Sequence, residues 1–95
     1  MEVAALTEPL RMKYRLRPNE DGVVVTAVAK NSAAARRGIA EGQVIEAVAD
    51  RPVGKPDDVQ QGLQAIADQH RMYAPLLVRS DEGPHWVVLM LEADR

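Results

Sequence analysis

The chain has 95 residues, 46% apolar and 27% charged, the make-up of a globular domain with one hydrophobic core and too little chain for two. A formal charge of -2 gives no overall attraction to nucleic acid or an anionic membrane, and the absence of cysteine excludes a disulfide framework and thiolate chemistry while leaving the compartment open. No apolar run approaches the roughly 20 residues that cross a bilayer, and the N-terminus lacks a signal-peptide pattern.

With no Phe and one Trp, the core must be built from Val, Leu, Ile, Ala and Met. Residues 1–6, MEVAAL, read as a short edge strand with Glu2 its only charge. Thr7, Glu8 and Pro9 form a helix start, because Thr can cap and Pro is tolerated in the first turn. In residues 10–17, apolar Leu10, Met12, Tyr14 and Leu16 alternate with cationic Arg11, Lys13, Arg15 and Arg17, a strand period, whereas propensity and the Thr-Glu-Pro start predict a short helix over residues 8–14. The four cations make a local basic patch, either a solvated face or a docking surface for an acidic partner or neighbouring domain. Pro18, Asn19, Glu20 and Asp21 suit a turn.

Residues 22–48 are the most informative stretch. Val23, Val24, Val25 and Val28 fit a largely buried strand that Gly22 punctuates. Asn31 and Ser32 can cap a helix, Ala33, Ala34 and Ala35 are the best helix formers, and Gly38 can take the left-handed conformation that closes it. Ile39 turns back to the core, Gly42 makes a second turn, and Val44, Ile45, Ala47 and Val48 supply another strand.

Residues 50–54 read as a turn and a brief extended piece around Val53. The clearest helix follows, with Pro56 at its first position, Asp57 and Asp58 in its first turn, and His70 and Arg71 near its end. Val59, Leu63 and Ile66 form its apolar stripe, with Gln60, Gln61, Gln64 and Asp68 on other faces. Gly62 costs up to about 1 kcal/mol relative to Ala inside a helix, which points to close packing against the sheet ahead of a ligand needing backbone access. Residues 73–79 and 85–91 are the last two strands, joined by a five-residue loop from Ser80 to Pro84, with Pro75 marking an irregularity or an edge and Trp86 half-buried. A tail begins at about residue 92.

Nothing in the chain has the pattern of a catalyst. Ser32 is a helix cap and Ser80 a loop residue, neither within G-x-S-x-G. His70 and His85 stand alone, without the spacing of a zinc site, as a helix-end and a strand-edge residue. No phosphate loop is present, and the basic residues lack aromatic interleaving. No cofactor and no metal are therefore expected, and binding is the function left.

The order of motifs in residues 22–48, G-V-V-V, then Ser32, Ala34 and Gly38 with Ile39, then Gly42, Val44 and Ile45, resembles the PDZ domains of HtrA/DegP-type serine proteases. Gln43 stands where that family usually has Asp, and Asp50, Arg51 and Pro52 replace its common Asn-Gly turn. The resemblance runs from about residue 1 to residue 91, and Leu10, Arg11, Lys13 and Tyr14 make it more like the C-terminal of the two PDZ domains such proteases carry. It implies a mainly β fold, a partly open antiparallel β-barrel capped by two or three helices, forming one domain over residues 1–95.

It also implies a peptide-binding module that takes extended or C-terminal hydrophobic peptides by strand addition, or regulates protease assembly. In the family, the first strand follows a hydrophobic-Gly-hydrophobic loop whose amides hold the peptide carboxylate; Met1 matches the last residue of that loop. The strand side of the groove is then Met1, Glu2, Val3 and Ala4, and the helix side Gln60 and Leu63 with Val59 or Ile66, the last two being core residues if the helix is turned the other way. Implied partners are peptides or unfolded protein C-termini and the protease and sister PDZ domains of the same parent chain, with no nucleic acid and no membrane insertion. The implied setting is the bacterial periplasm or cell envelope. The alternatives are a structural module docking through the basic patch of residues 11–17, and a PDZ domain of a site-2 protease or a secretion-system component.

Overall fold

In the computed structural model, which describes residues 1–17 and 20–91, the chain forms β1 (Glu2–Ala5), α1 (Glu8–Lys13), β2 (Val23–Ala27), α2 (Ala33–Arg36), β3 (Val44–Val48), β4 (Arg51–Pro52), α3 (Pro56–Asp68), β5 (Tyr73–Ser80) and β6 (Gly83–Met90). The turn expected at Pro18 and Asn19 and the tail expected from residue 92 lie outside the described residues. All strand pairings are antiparallel, in the order β1-β2-β3-β5-β6 with β4 beside β3. The sheet does not close on itself, so among the described residues β1 and β6 are the terminal strands of that order. This is the mainly β, helix-capped architecture that the sequence implies.

The core sits where the valine strand crosses the sheet. Val23, Val24, Val25, Ile45, Leu76 and Val78 have no solvent exposure. At the entry to β2, Gly22 has φ +134, and a Cβ there would collide with the Ile45 carbonyl oxygen, so only glycine lets β2 lie this close to β3. The α2 turn forms as its sequence dictates: the Ser32 hydroxyl accepts from the Ala35 amide at 3.2 Å, and Gly38, at φ +86, ends it. Gln43 braces the loop that follows, accepting from the Ala40 amide at 3.3 Å and donating to the Gly38 carbonyl at 3.4 Å.

In α3, the Asp58 carboxylate accepts from the Gly54 and Lys55 amides at 2.9 and 3.2 Å, tying off the helix start. Val59 and Ile66 are buried, each contributing about 1.5–3 kcal/mol of hydrophobic stabilisation. Between them Gly62 faces Val48, and a Cβ there would stand 3.0 Å from Val48 Cγ1, so the glycine serves close packing. The helix ends at Asp68 with His70 in the left-handed region at φ 60, which leaves His70 and Arg71 beyond its last turn.

Four local expectations are corrected. Thr7 stands at the N-cap of α1, but its side chain makes no capping bond. The turn after β3 is at Ala49 and Asp50, one residue earlier than expected, so that Arg51 and Pro52 pair back onto Val48 and Ala47. The β5–β6 loop is two residues, Asp81 and Glu82, because Ser80 pairs with Gly83 and the strand ladder absorbs Pro84. Trp86 is 57% exposed, since it lies on the face of β6 opposite buried Val87 and Leu89. Pro75 sits within β5 at no cost to the ladder: its carbonyl accepts from the Ala49 amide at 2.7 Å, so its missing N–H faces the side where β3 has already ended.

Candidate functional site

The β1 edge is a place where main-chain groups and an apolar floor meet. Val25 uses its backbone toward the β3 side, its amide donating to the Gln43 carbonyl at 2.8 Å and its carbonyl accepting from the Gly42 amide at 2.8 Å. Its neighbour Val24 therefore turns to β1 and pairs with Ala4, and by alternation Val3 turns its N–H and C=O to the free edge. The Val3 side chain packs against the core. A register shift between Glu2 and Val3 bends the strand start, where Thr26 Oγ1 donates to the Glu2 carbonyl at 3.3 Å.

Across from this edge runs α3, and between them lies a groove of about 620 Å³. Met1, Glu2 and Val3 form its strand side. Val59, Gln60 and Leu63 form the helix side, with Leu63 only partly buried. Two residues expected there do not line it: the backbone of Ala4 pairs inward with Val24, and Ile66, 7% exposed, is packed into the core. Pro56, Gln64, Ala67 and Leu91 line it without having been expected. For the helix residues a signal existed: with Val59, Gly62 and Ile66 turned to the sheet, positions 56, 60, 63, 64 and 67 form the adjoining face. Leu91 had none, because its place depends on a bond from its amide to the Met72 carbonyl at 2.7 Å, which carries β6 past the groove end.

A second hollow, about 750 Å³, lies between the α1–β2 connection and the β5–β6 turn. The expected basic patch is divided there. The Arg11 guanidinium is spent on the carbonyls of Arg17 and Glu20, at 2.9 and 3.0 Å, and Lys13 sits 5.2 Å from the Tyr14 ring centroid. Arg15 and Arg17 reach the hollow, where Glu41, Asp81 and Glu82 share the walls. Tyr14 donates to Glu41 Oε2 at 2.6 Å, and that bond holds the phenol pKa above its usual value. Arg79 Nε meets Glu46 Oε2 at 2.7 Å and the buried Glu20 Oε2 at 3.1 Å, and the bond to Glu46 raises the guanidinium pKa further. This hollow has walls of mixed charge. Among the described residues no cluster of His, Asp or Glu could hold a metal ion, and no helix is long and apolar enough to cross a membrane.

A free strand edge facing an amphipathic helix across an apolar-floored groove is the arrangement for binding a peptide as an added strand. The sequence matches the family model described as "PDZ domain" over residues 24–72, just over half of the chain. The chain belongs to the PDZ-domain family. Among solved structures, this PDZ domain is similar to the HtrA3 PDZ domain, crystallised bound to a phage-derived ligand, FGRWV. That likeness has a TM-score of 0.75 and 25% identity, and covers 97% of this chain and 81% of the other, so the PDZ domain is of the HtrA type as the motif order implies. No curated protein matches the sequence. A PDZ domain is a non-catalytic binding module.

Proposed function

We propose that this PDZ domain binds extended peptides with a hydrophobic C-terminus by adding them as a strand to β1, as the recognition module of an HtrA-type serine endopeptidase. The observation that carries the proposal is the position of Val3. Its unpaired N–H and C=O face a groove whose far wall is Gln60 and Leu63, so a guest backbone can bond to the strand while its side chains reach the helix. The ligand of the similar HtrA3 domain ends in a hydrophobic residue, which agrees with this reading. Backbone bonding gives affinity independent of sequence, and the apolar pocket selects the terminal side chain.

Titration of the labelled domain with a peptide ending in Val, beside the same peptide amidated at its C-terminus, tests the proposal. Saturable shifts at Val3 and Leu63, weakened by amidation, are the expected result. Shifts confined to the second hollow, or none, would sink it. We place the parent protein in the bacterial periplasm or envelope on family resemblance, with substrate C-termini or sister domains as its partners. A G-N-S-G-G segment ahead of this domain in the gene supports the serine endopeptidase; an H-E-x-x-H motif within a membrane span in its place removes it.

A further inference from the structure

At the other margin of the sheet, the outer edge of β6 has no strand beside it among the described residues and lacks two of the usual protections of an edge, a charge and a bulge. From Gly83 to Met90 it has no Lys, Arg, Asp or Glu, and its register with β5 runs without a bulge. Natural edges are commonly guarded by a charge, a bulge, a proline or a covering element. Here the one proline, Pro84, stands beside the turn, α2 packs on the core side of the strand through Ala34, Val87 and Leu89, and among the described residues no strand or turn backbone bond is made to the outer edge.

The register fixes which groups face outward. The Leu91 amide bonds the Met72 carbonyl, and in an antiparallel ladder such pairs recur at every second residue, so Leu89, Val87 and His85 turn their backbones to β5. Trp86, Val88 and Met90 turn theirs to the free edge. The same three residues carry the large exposed apolar side chains of the strand, at 57%, 45% and 40%, with Pro84 and His85 also exposed nearer the turn. Their partners across the ladder, Leu77, Pro75 and Tyr73, continue the apolar face inward.

We infer that β6 pairs with β6 of a second copy of this chain, antiparallel about a two-fold axis at Val88. That register sets Val88 against Val88 of the second copy and Trp86 against its Met90, twice. Each outward N–H then meets an outward C=O, giving six backbone bonds in three bonded pairs. The edge is thus complementary to itself in hydrogen bonding. It is also compatible in charge, because no ionic side chain on the strand meets its own copy and a net charge of -2 repels weakly. Trp86 lying against Met90 adds a sulfur–aromatic contact. Pro84, lacking an N–H, ends the run. A contact of one strand edge per copy belongs to the small class, under about 1,200 Å² in total, so the dimer is weak and depends on concentration.

Sedimentation equilibrium over micromolar to millimolar protein tests this with the wild type, Val88→Lys, Val88→Glu and an equal mixture of the two variants. Expected are a reversible wild-type dimer, at least tenfold weaker association for each variant alone, and recovery in the mixture, where the two-fold register sets Lys against Glu. Amide exchange at Trp86, Val88 and Met90, slowing as wild-type concentration rises, reads the same contact without a substitution. A wild type monomeric to about 1 mM, a dimer indifferent to both variants, or a mixture that fails to recover overturns the inference. The first of these outcomes leaves the edge to a partner other than a copy of the chain.

Discussion

The two margins of this sheet offer the same backbone chemistry and differ in what stands beside them. At β1, four residues long and bent by a register shift, α3 rises alongside and turns the edge into a groove of about 620 Å³. At β6, eight residues long and regular, the nearby helix is the short α2, whose Ala34 joins Val87 and Leu89 in the core, and Trp86, Val88 and Met90 face solvent. A flanking helix adds a side-chain test to the hydrogen bonds, so the β1 edge can discriminate among peptides. A bare edge accepts any strand of matching register, and a second copy of itself is the guest with matching polarity and no opposing charge.

Four perturbations separate the two margins, the largest first. Ile66→Ala empties a core position beneath α3 and is expected to cost about 2–5 kcal/mol of stability, read by denaturant unfolding. A loss below 1 kcal/mol would mean that α3 is not seated on the sheet as described, and the groove would lose its wall.

Crossing Leu63→Glu with Val88→Lys comes next. Leu63→Glu should weaken binding of a Val-terminated peptide at least tenfold, about 1.4 kcal/mol, with the fold and the self-association retained. Val88→Lys should do the reverse. If either substitution abolished both activities, the margins would not be independent.

Gly62→Ala sharpens the β1 side. Alanine gains helix propensity of up to about 1 kcal/mol, but its Cβ would lie 3.0–3.1 Å from Val48, a buried β-branched residue with no room to rotate. Overpacking of this kind costs about 1–3 kcal/mol, so a net loss of order 1 kcal/mol is expected in thermal unfolding, with a change in peptide affinity as α3 is pushed outward. A gain in stability would show that the helix stands clear of β3.

The smallest effect concerns the α1–β2 connection, at the hollow it shares with the β5–β6 turn. The Tyr14 pKa is raised by its bond to Glu41, so the stabilisation from this phenol is complete below about pH 10, its usual pKa, and is lost as pH rises through the raised value. Tyr14→Phe should remove that alkaline step from a plot of stability against pH while leaving peptide binding and self-association unchanged. Persistence of the step would assign it to another group.

Much of this architecture is written locally. The valine run, the Ser32 cap, the alanine turn and Gly38 each act within a few residues, through side-chain branching, capping bonds and permitted backbone angles, so their order alone marked the fold family. The amphipathic stripe of Val59, Leu63 and Ile66 announced α3 for the same reason, and the edge character of residues 1–6 followed from their length and place.

The rest belongs to tertiary structure. Which side of α3 faces β1 depends on how closely Gly62 lets the helix approach Val48, and that rotation separates buried Ile66 from groove-lining Gln64 and Ala67. The two-residue β5–β6 turn, with Pro84 taken into the ladder, sets the phase of β6 and sends Trp86 into solvent. Apolar periodicity in a sequence reports that a residue has a face. Only the packing of elements distant in the chain decides whether that face meets the core, a groove or open solvent.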